Sequence, residues 1–326
     1  MIRYPVFVLF FGILSLFSSS CKERNEIYPP VPWVNYFYEK ENVPARPVSA
    51  ILIENDHSEW FGSQGLQGLV HNNGYEWSII AQSNSTPPFD SVTCILRDGN
   101  GLLWVSWKSG LASYDGSSWT TIGELTGKRV TSLALQGIGI LWAGFDGDPQ
   151  SGGLARLRDG AWKFYKVGAT GLPSSHIISL AMDHDQRLWI GSSDKGIARY
   201  NGQEWTEFNA GNTGFLAAAI NSISIDPEGN AWAGTSASEL VKFMNTGPVI
   251  LSTGTGKPIT KLVAGNNGAI WIGTAGAGLL SYQDGKWTNY TMGNMHLPGD
   301  SILTLALHPE GNVVASYPDG HLISFN

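Results

Sequence analysis

The sequence predicts an all-β fold, a seven-bladed β-propeller with four antiparallel strands in each blade. A tryptophan-anchored repeat recurs seven times, at intervals between 38 and 47 residues. A β-branched residue stands twelve positions before the anchor of every repeat, which indicates a buried strand. The 326 residues also include 40 Gly and 13 Trp, as is typical of short strands, tight turns and aromatic blade motifs.

Strand A is the first element of each repeat. Its β-branched residues are Val48, Val92, Val130, Ile177, Ile220, Ile259 and Ile302. The anchors that follow are Trp60, Trp104, Trp142, Trp189, Trp232, Trp271 and Val314. A second apolar residue stands nine positions before each anchor, so strand A is apolar with little alternation. This pattern predicts a strand that is buried on both faces.

Strands B, C and D follow in order. Strand B carries the anchor, as in residues 188–192, and strand C begins after a Gly, as in residues 196–200. An Asp-Gly turn or its equivalent then leads to strand D. Strand D begins with Trp77, Trp119, Trp162, Trp205 and Trp287, whereas the fifth unit has no Trp at this position.

The seventh unit has no strand D of its own, because the chain ends at residue 326 directly after strand C. Residues 33–37, with the sequence Trp-Val-Asn-Tyr-Phe, are similar to the fourth strand at residues 205–208. We therefore expect the N-terminal strand 33–37 to join the C-terminal blade and close the ring. The predicted propeller domain spans residues 33–326.

The N-terminal segment has the features of an export signal. Residues 1–20 contain Arg3, an apolar run and three Ser directly before Cys21, which resembles a bacterial lipobox. The resemblance implies a signal peptide at 1–20, lipidation of Cys21 and a lipidated linker at 21–32. Ordinary cleavage that leaves a free thiol is the alternative. We expect an exported protein, lipid-anchored to a bacterial membrane and most consistent with the outer membrane, with the periplasmic or surface face left open.

Composition excludes several classes of partner and site. The net charge of -7 is spread along the chain without Lys/Arg clusters, which argues against nucleic acid. Once Cys21 is acylated, Cys94 is a single thiol, so no intramolecular disulfide is possible. Residues 146–153 contain two carboxylates two positions apart, and a calcium loop requires more. We therefore predict no metal and no cofactor, and we expect a monomeric propeller.

The blade pattern resembles the two-component-regulator propeller repeat over residues 46–326. The pattern consists of strand A, then Leu/Ile-Trp-Ile/Ala-Gly-Thr/Ser, Gly-Leu, an aromatic residue, Asp/Asn-Gly and Trp. The resemblance implies a sensor-type propeller such as those in the periplasmic parts of hybrid histidine kinases, which are often linked to glycan sensing. The repeats are also similar to those of streptogramin-lyase-like propellers and of secretion-associated envelope propellers, so the fold is compatible with several functions.

The loops that connect strand D to A and strand B to C are the predicted binding face. Three positions after the anchor, small polar residues are the rule, and Trp107, Phe145 and Tyr317 depart from it. These residues belong to blades two, three and seven, on one side of the ring. We expect an exposed aromatic cluster that stacks on sugar rings or apolar side chains. The alternative is that the rings pack on adjacent loops.

A rim of mixed charge is predicted on the same face, fourteen positions before the anchors. The candidate ligand-binding residues there are Arg46, Asp90, Lys128, Lys257 and Asp300. Such a rim can orient a polar ligand, and the alternative is a set of solvated loop charges.

These features favour a non-catalytic cell-envelope lipoprotein whose propeller binds a glycan, peptide or protein partner on one loop face. One alternative is a structural or assembly subunit of an envelope secretion or polysaccharide-uptake complex. A second is a streptogramin-lyase-like enzyme, because virginiamycin-type lyases use His and Glu residues around a magnesium ion. The chain has His176, His296 and His321 near this face but no Glu beside them in a matching motif. No serine-nucleophile elbow or phosphate loop occurs in a suitable setting, so no catalytic residue is predicted.

Overall fold

The computed structural model describes residues 33–35, 47–65, 68–81, 85–168, 170–214, 219–244 and 246–325. The predicted signal peptide, the predicted linker, Cys21 and Arg46 lie outside these residues. In the described ranges, no helix is both long and apolar enough to cross a membrane.

The chain begins with β1 (Trp33–Asn35) and then forms its blades in sequence. Blade 1 contains β2 (Val48–Ile53), β3 (Glu59–Ser63), β4 (Leu69–Asn72) and β5 (Trp77–Ile80). Blade 2 contains β6 (Val92–Arg97), β7 (Leu103–Trp107), β8 (Gly110–Tyr114) and β9 (Trp119–Thr121). Blade 3 contains β10 (Arg129–Gln136), β11 (Ile140–Asp146), β12 (Gly153–Arg158) and β13 (Ala161–Tyr165). Blade 4 contains β14 (Ile177–Met182), β15 (Leu188–Ser192), β16 (Ile197–Tyr200) and β17 (Trp205–Phe208).

The remaining blades follow the same order. Blade 5 contains β18 (Ile220–Ile225), β19 (Ala231–Thr235), β20 (Glu239–Met244) and β21 (Gly247–Ser252). Blade 6 contains β22 (Ile259–Ala264), β23 (Ile270–Thr274), β24 (Leu279–Gln283) and β25 (Lys286–Tyr290). Blade 7 contains β26 (Thr304–Leu307), β27 (Val313–Ser316) and β28 (Leu322–Phe325). Within the described residues, short helical turns lie in loops at Gly123–Leu125, α1 (Ala210–Thr213) and α2 (Met292–Met295).

The seven sheets form a closed ring, which confirms the predicted seven-bladed propeller. Each sheet has four antiparallel strands in the order A to D. The first strand of every blade contacts the first strands of both neighbouring blades, and β26 contacts β2 in the same way. Strand A therefore surrounds the central channel, and both faces of each blade are covered by other blades.

A ring of hydrogen bonds links each blade to the next near one end of the channel. In blades 1 to 6, one extra residue follows the β-branched residue of strand A, and the strand register shifts there. This β-bulge turns the extra side chain toward the following blade, where a backbone carbonyl of the first strand can accept its hydrogen bond. The donor–acceptor pairs are Ser49–Val92, Thr93–Val130, Thr131–Ile177, Ser179–Ile220, Asn221–Ile259, Thr260–Ile302 and Ser316–Val48, at 2.6 to 3.0 Å.

Two blades complete this ring with a substitute donor. The bulge residue of blade 4 is Ile178 and the equivalent residue of blade 7 is Leu303, and neither can donate. Ser179, the next residue in blade 4, donates to Ile220 at 3.0 Å. In blade 7, Ser316 of strand B donates across to Val48 of blade 1 at 2.7 Å. Every one of the seven blade junctions therefore has a side-chain to backbone hydrogen bond.

The turns between strands A and B hold the anchor tryptophans. In blades 1 to 5, the indole N–H donates to a carboxylate or amide oxygen six residues earlier, at 2.8 to 3.0 Å. Asp183 of blade 4 also accepts the backbone N–H groups of Asp185 and Arg187 through its second oxygen. Asp183 therefore stabilises the turn between strands A and B of blade 4.

Asp226 makes the stability of blade 5 dependent on pH. Burial raises the pKa of this carboxyl, but hydrogen bonds from Trp232 and Asn230 and the charge of Lys242 outweigh it, so the pKa lies below its ordinary value. A carboxyl with a lowered pKa in the folded state stabilises the fold above its unfolded pKa. That contribution is lost as the pH falls through the folded pKa.

We expect Asp226→Asn to lower the melting temperature by roughly 3–6 °C at pH 7, because the amide cannot accept as a carboxylate does. The difference from wild type should shrink steadily as the pH is lowered from 5 to 3. Differential scanning fluorimetry across this range measures both curves. A difference that stays constant with pH would contradict the assignment.

The N-terminal strand occupies the position of the missing strand D. β1 pairs antiparallel with β28, with Trp33 opposite Phe325. The same register places Trp205 opposite Tyr200 in blade 4. Residues 36 and 37 of the predicted strand lie outside the described residues. The dependence of ring closure on this segment stays a prediction.

Candidate functional site

A cavity of about 490 Å³ lies at the channel mouth, on the face formed by the D–A and B–C loops. Its lining includes Ser49, Gln64, Ser91, Thr93, Lys108, Arg129 and Thr131. These residues come from blades 1 to 3 and from the loops between them, and Ile178 adds blade 4. The cavity is therefore built by several blades and lies over the channel.

Two cations at this mouth are paired on one side and open to solvent on the other. Lys108 Nζ lies 2.6 Å from Asp90 Oδ2, and Arg129 Nη1 lies 2.9 Å from Asp146 Oδ2. The side chains of Lys108 and Arg129 are 56% and 61% exposed. A lysine has three donors and an arginine five, so each cation retains donors for a ligand.

The hydroxyls of the cavity supply acceptors. Ser49, Thr93 and Thr131 use their single donor in the ring of blade-to-blade hydrogen bonds. Each oxygen then presents lone pairs, because a hydroxyl has one donor and two acceptor sites. Cationic donors and hydroxyl acceptors therefore line the same cavity. This combination can hydrogen-bond a ligand with many hydroxyl groups.

The predicted aromatic cluster is not exposed, and that expectation is wrong. Trp107, Phe145 and Tyr317 are 4%, 0% and 1% exposed. Trp107 packs edge-on against Phe89 at 5.5 Å, and Phe145 lies 6.3 Å from Phe164. Because neighbouring blades cover both faces of each sheet, neither side of strand B offers a free surface. These buried rings pack beneath the loops, so a sugar cannot stack on them.

Tyr317 differs from the other two rings because its hydroxyl is buried without a hydrogen-bond partner among the described residues. Burial raises the pKa of this phenol, and the carboxylates of Asp300 and Asp319 raise it further. The phenol is therefore neutral throughout the physiological range. It contributes packing to blade 7 and no charge to the rim.

The remaining rim residues have local roles that the sequence did not distinguish. Asp90 holds Lys108, whereas Lys128 donates to the Ser151 carbonyl at 3.3 Å. Asp300 accepts the Met292 backbone N–H at 2.7 Å. Lys257 is exposed. The structure therefore places Asp90 beside Lys108, which lines the cavity, and spreads the other described candidates around the rim.

The longer loop of blade 3 is organised by its own backbone. Asp148 accepts the N–H groups of Gln150 and Ser151 at 2.9 and 2.8 Å, and hydrogen bonds from Ser151 and Gln150 hold the pKa of this carboxyl below its usual value. Asp146 is engaged by Arg129 and by His176 at 2.9 Å. Among the described residues, no group of three or more His, Cys, Asp or Glu side chains is placed to hold a metal ion.

The three candidate histidines lie in separate surroundings. His176 pairs with Asp146, while His321 lies 2.8 Å from Asp319 in blade 7. His296 follows α2 with a left-handed backbone, at φ 54°. In the described parts of the chain, no hydrogen bond joins one of these imidazoles to another.

Sequence reasoning missed Lys108 and Arg129 as site residues. Each stands directly beside a residue that the repeat alignment did single out, Trp107 and Lys128. Trp107 packs on Phe89, and Lys128 donates to the Ser151 carbonyl. The next residue in each case, Lys108 or Arg129, lines the cavity at the channel mouth. Alternation along a strand is the signal that separates such neighbours, although loop geometry obscures it.

These features define a class of protein, a seven-bladed β-propeller with a polar channel mouth and charge pairs on one loop face. Residues 171–194 match the family model described as "Two component regulator propeller". The match confirms the predicted resemblance of the blade repeat to that family. No curated protein sequence matches the chain.

Solved structures share the fold. The extracellular domain of a putative hybrid two component system from B. thetaiotaomicron is 20% identical, with a TM-score of 0.76 over 91% of this chain and 41% of that one. Virginiamycin B lyase from Staphylococcus aureus is 12% identical, with a TM-score of 0.71 over 90% and 97% of the two chains. PorZ, a surface component of the type-IX secretion system of Porphyromonas gingivalis, is 15% identical, with a TM-score of 0.69 over 86% and 46%. The chain therefore spans about two fifths of the two-component-system chain that it matches.

Proposed function

We propose that the chain is a non-catalytic propeller of the bacterial cell envelope that binds a glycan at the channel mouth. The observation that carries this proposal is the 490 Å³ cavity, which is lined both by the cations Lys108 and Arg129 and by hydroxyl groups of strand A. Its likeness in fold to the extracellular domain of a putative hybrid two component system supports an exported, ligand-binding role.

The chemistry of the mouth favours a ligand with many hydroxyl groups over an apolar one. Hydrogen bonds from a charged donor contribute about 1.5–3 kcal/mol, more than those between neutral groups. Asp90 and Asp146 partly neutralise the two cations, so the mouth does not require a strongly anionic ligand. An apolar ligand would cover the exposed parts of both cations and would offer their free donors no hydrogen-bond acceptor.

Within the part of the chain that the structure describes, the candidate histidines do not converge on one point, which supports a non-catalytic role. His176 and His321 are held by different carboxylates in blades that are not adjacent in sequence. A general acid or base needs to reach the reacting atom together with its partner groups. A binding role requires no such convergence.

The lipid anchor is part of the same proposal and is tested separately. We expect wild-type protein expressed in a Gram-negative host to incorporate an alkyne-labelled fatty acid and to fractionate with membranes. Cys21→Ser should remove both properties and leave the folded propeller unchanged. Label that persists in Cys21→Ser would contradict lipidation at this thiol.

We expect Arg129→Gln to weaken glycan binding by about tenfold or more, because one charged hydrogen bond is lost. A glycan array on the purified wild-type protein identifies the ligand, and calorimetry then compares the variants. Lys257→Gln is the matched control, since it removes an exposed lysine of the predicted rim that does not line the cavity.

Binding that is equal in Arg129→Gln and wild type would reject the channel mouth as the site. A different result is a wild-type protein that binds no glycan on the array but binds an acidic peptide or an envelope protein in a way that depends on Arg129. That result would contradict a glycan ligand and identify the peptide or protein as the partner. Loss of binding in Lys257→Gln to the same extent would show a general charge effect and would also contradict the site.

A further inference from the structure

Blade 5 differs from the other blades at the start of strand D. Six blades have Trp there, counting Trp33, and blade 5 has Pro248. Pro248 stands opposite Phe243, in the register that places Trp205 opposite Tyr200 in blade 4. The replacement is therefore at an equivalent position and is not a shift of the strand.

The tryptophan of strand D fills the junction with the preceding blade. Trp205 stacks on Tyr200 with 4.4 Å between ring centroids, and its indole N–H donates to the Thr170 carbonyl, before blade 4, at 2.8 Å. A proline ring is much smaller than an indole. A cavity of about 430 Å³ lies at the corresponding junction of blades 4 and 5, and Pro248 and Phe243 line it.

Arg199 lies at this cavity as a cation held by aromatic rings. Its guanidinium carbon is 5.4 Å from the centroid of Trp189 and 5.7 Å from that of Phe208. Among the described residues, the guanidinium of Arg199 has no hydrogen-bond or ion-pair partner. Burial lowers the pKa of this group, which indicates that the charge is partly desolvated. A hydrogen-bonded ion pair with an anionic group would stabilise such a cation.

The other charges around the cavity already have partners. Arg187 bonds Asp183 at 2.7 Å and Asp185 at 2.8 Å. Lys242 lies between Asp226 and Glu228, at 3.6 and 3.7 Å. These carboxylates therefore pair with cations other than Arg199, whose side chain lines the cavity. The charge of Asp183 acts on Arg199 without an ion pair between them.

We propose that this cavity is a second binding site, in which Arg199 recognises the carboxylate of a ligand that also presents an apolar face. A guanidinium binds a carboxylate through two parallel hydrogen bonds. Trp189 and Phe208 fix the orientation of the guanidinium before the ligand arrives, which reduces the entropy lost on binding. The cavity volume suits one sugar ring or one amino-acid side chain with its carboxylate.

The ligand class is a small carboxylate, from an acidic sugar or from a peptide C-terminus. The site is formed by the A–B turns and the C–D ends of blades 4 and 5, on the face opposite the channel mouth. It is independent of the proposed glycan site, because Lys108 and Arg129 do not line it.

The test compares carboxylates with matched neutral molecules on the full chain. Glucuronate is compared with glucose, and N-acetylphenylalanine with its amide, by calorimetry or by tryptophan fluorescence. We expect wild type to prefer a carboxylate over its neutral match by about tenfold or more. If glucuronate binds more tightly, the ligand's carboxylate comes from an acidic sugar. If N-acetylphenylalanine binds more tightly, it comes from a peptide C-terminus.

Three variants locate the effect. Arg199→Gln should remove the preference, and Pro248→Trp should block binding by refilling the junction while the melting temperature is kept. Arg156→Gln is the matched control, since Arg156 lies 5.5 Å above Trp142 in blade 3, which retains Trp162. It should bind as wild type does.

Several results would overturn the proposal. One is equal affinity of wild type for the charged and neutral probes. Another is a preference for the carboxylate that survives in Arg199→Gln or in a folded Pro248→Trp protein. A third is a loss of carboxylate binding in Arg156→Gln equal to that in Arg199→Gln. Failure of Arg129→Gln to weaken glycan binding would reject only the channel mouth and would leave this result unaffected.

Discussion

Deletion of residues 33–37 is expected to lower the melting temperature by roughly 10 °C or more. Without β1, the strand β28 becomes an exposed edge of the last sheet. Leu322, Ile323 and Phe325 of that strand are at most 2% exposed in the intact structure. Partial exposure of these three side chains, with three residues of strand pairing lost, costs about 3–5 kcal/mol.

The matched control is deletion of residues 22–26, which removes the same length from the predicted linker and should leave the melting temperature unchanged. Both proteins are compared with a wild-type chain purified in the same way, by scanning calorimetry. An unchanged melt in the 33–37 deletion would show that the ring does not depend on this strand. Equal losses in the two deletions would show an effect of chain length alone.

The second large effect is expected for Gly234→Ala at the junction of blades 5 and 6. A Cβ atom at Gly234 would lie 2.4 Å from Ile259 Cγ2 and 3.2 Å from Leu262 Cγ. Ile259 is fully buried, and its carbonyl accepts the blade-to-blade bond from Asn221. The added methyl therefore pushes two blades apart, with a cost of about 1–3 kcal/mol.

Gly123→Ala is the control for Gly234→Ala. Gly123 has no φ in the left-handed region, and no atom lies within 4 Å of a Cβ added there. We expect a change within about 0.5 kcal/mol for this variant, against a clear loss for Gly234→Ala, by urea denaturation. If the two variants unfold at the same urea concentration, close packing between blades is not what requires glycine in strand B.

The repeat predicted most of the fold because each blade depends on residues at fixed spacing. The anchor Trp189 and the β-branched Ile177 are both buried, at 3% and 1% exposure, as their recurrence indicates. The strand D position of Trp33 was predictable because its neighbours copy the pattern around Trp205. These residues recur in the sequence because the seven blades pack in nearly the same way, so each blade needs the same residue types at the same positions.

The candidate site was less predictable, because exposure depends on what lies between blades. Trp107 departs from the repeat pattern, yet the adjoining Phe89 covers it, and that residue lies in a loop outside the repeat. The pairing of Lys108 with Asp90 joins loops eighteen positions apart in sequence, and no periodicity marks it. The absence of Trp at Pro248 was visible in the sequence, although only the structure shows the cavity beside it.

The bond from Ser316 to Val48 joins residues 268 positions apart. This contact joins the first blade to the seventh, whereas the strands within each earlier blade pair with their neighbours in sequence. The circle can therefore close only once the seventh blade has folded, and six blades alone would form an open arc.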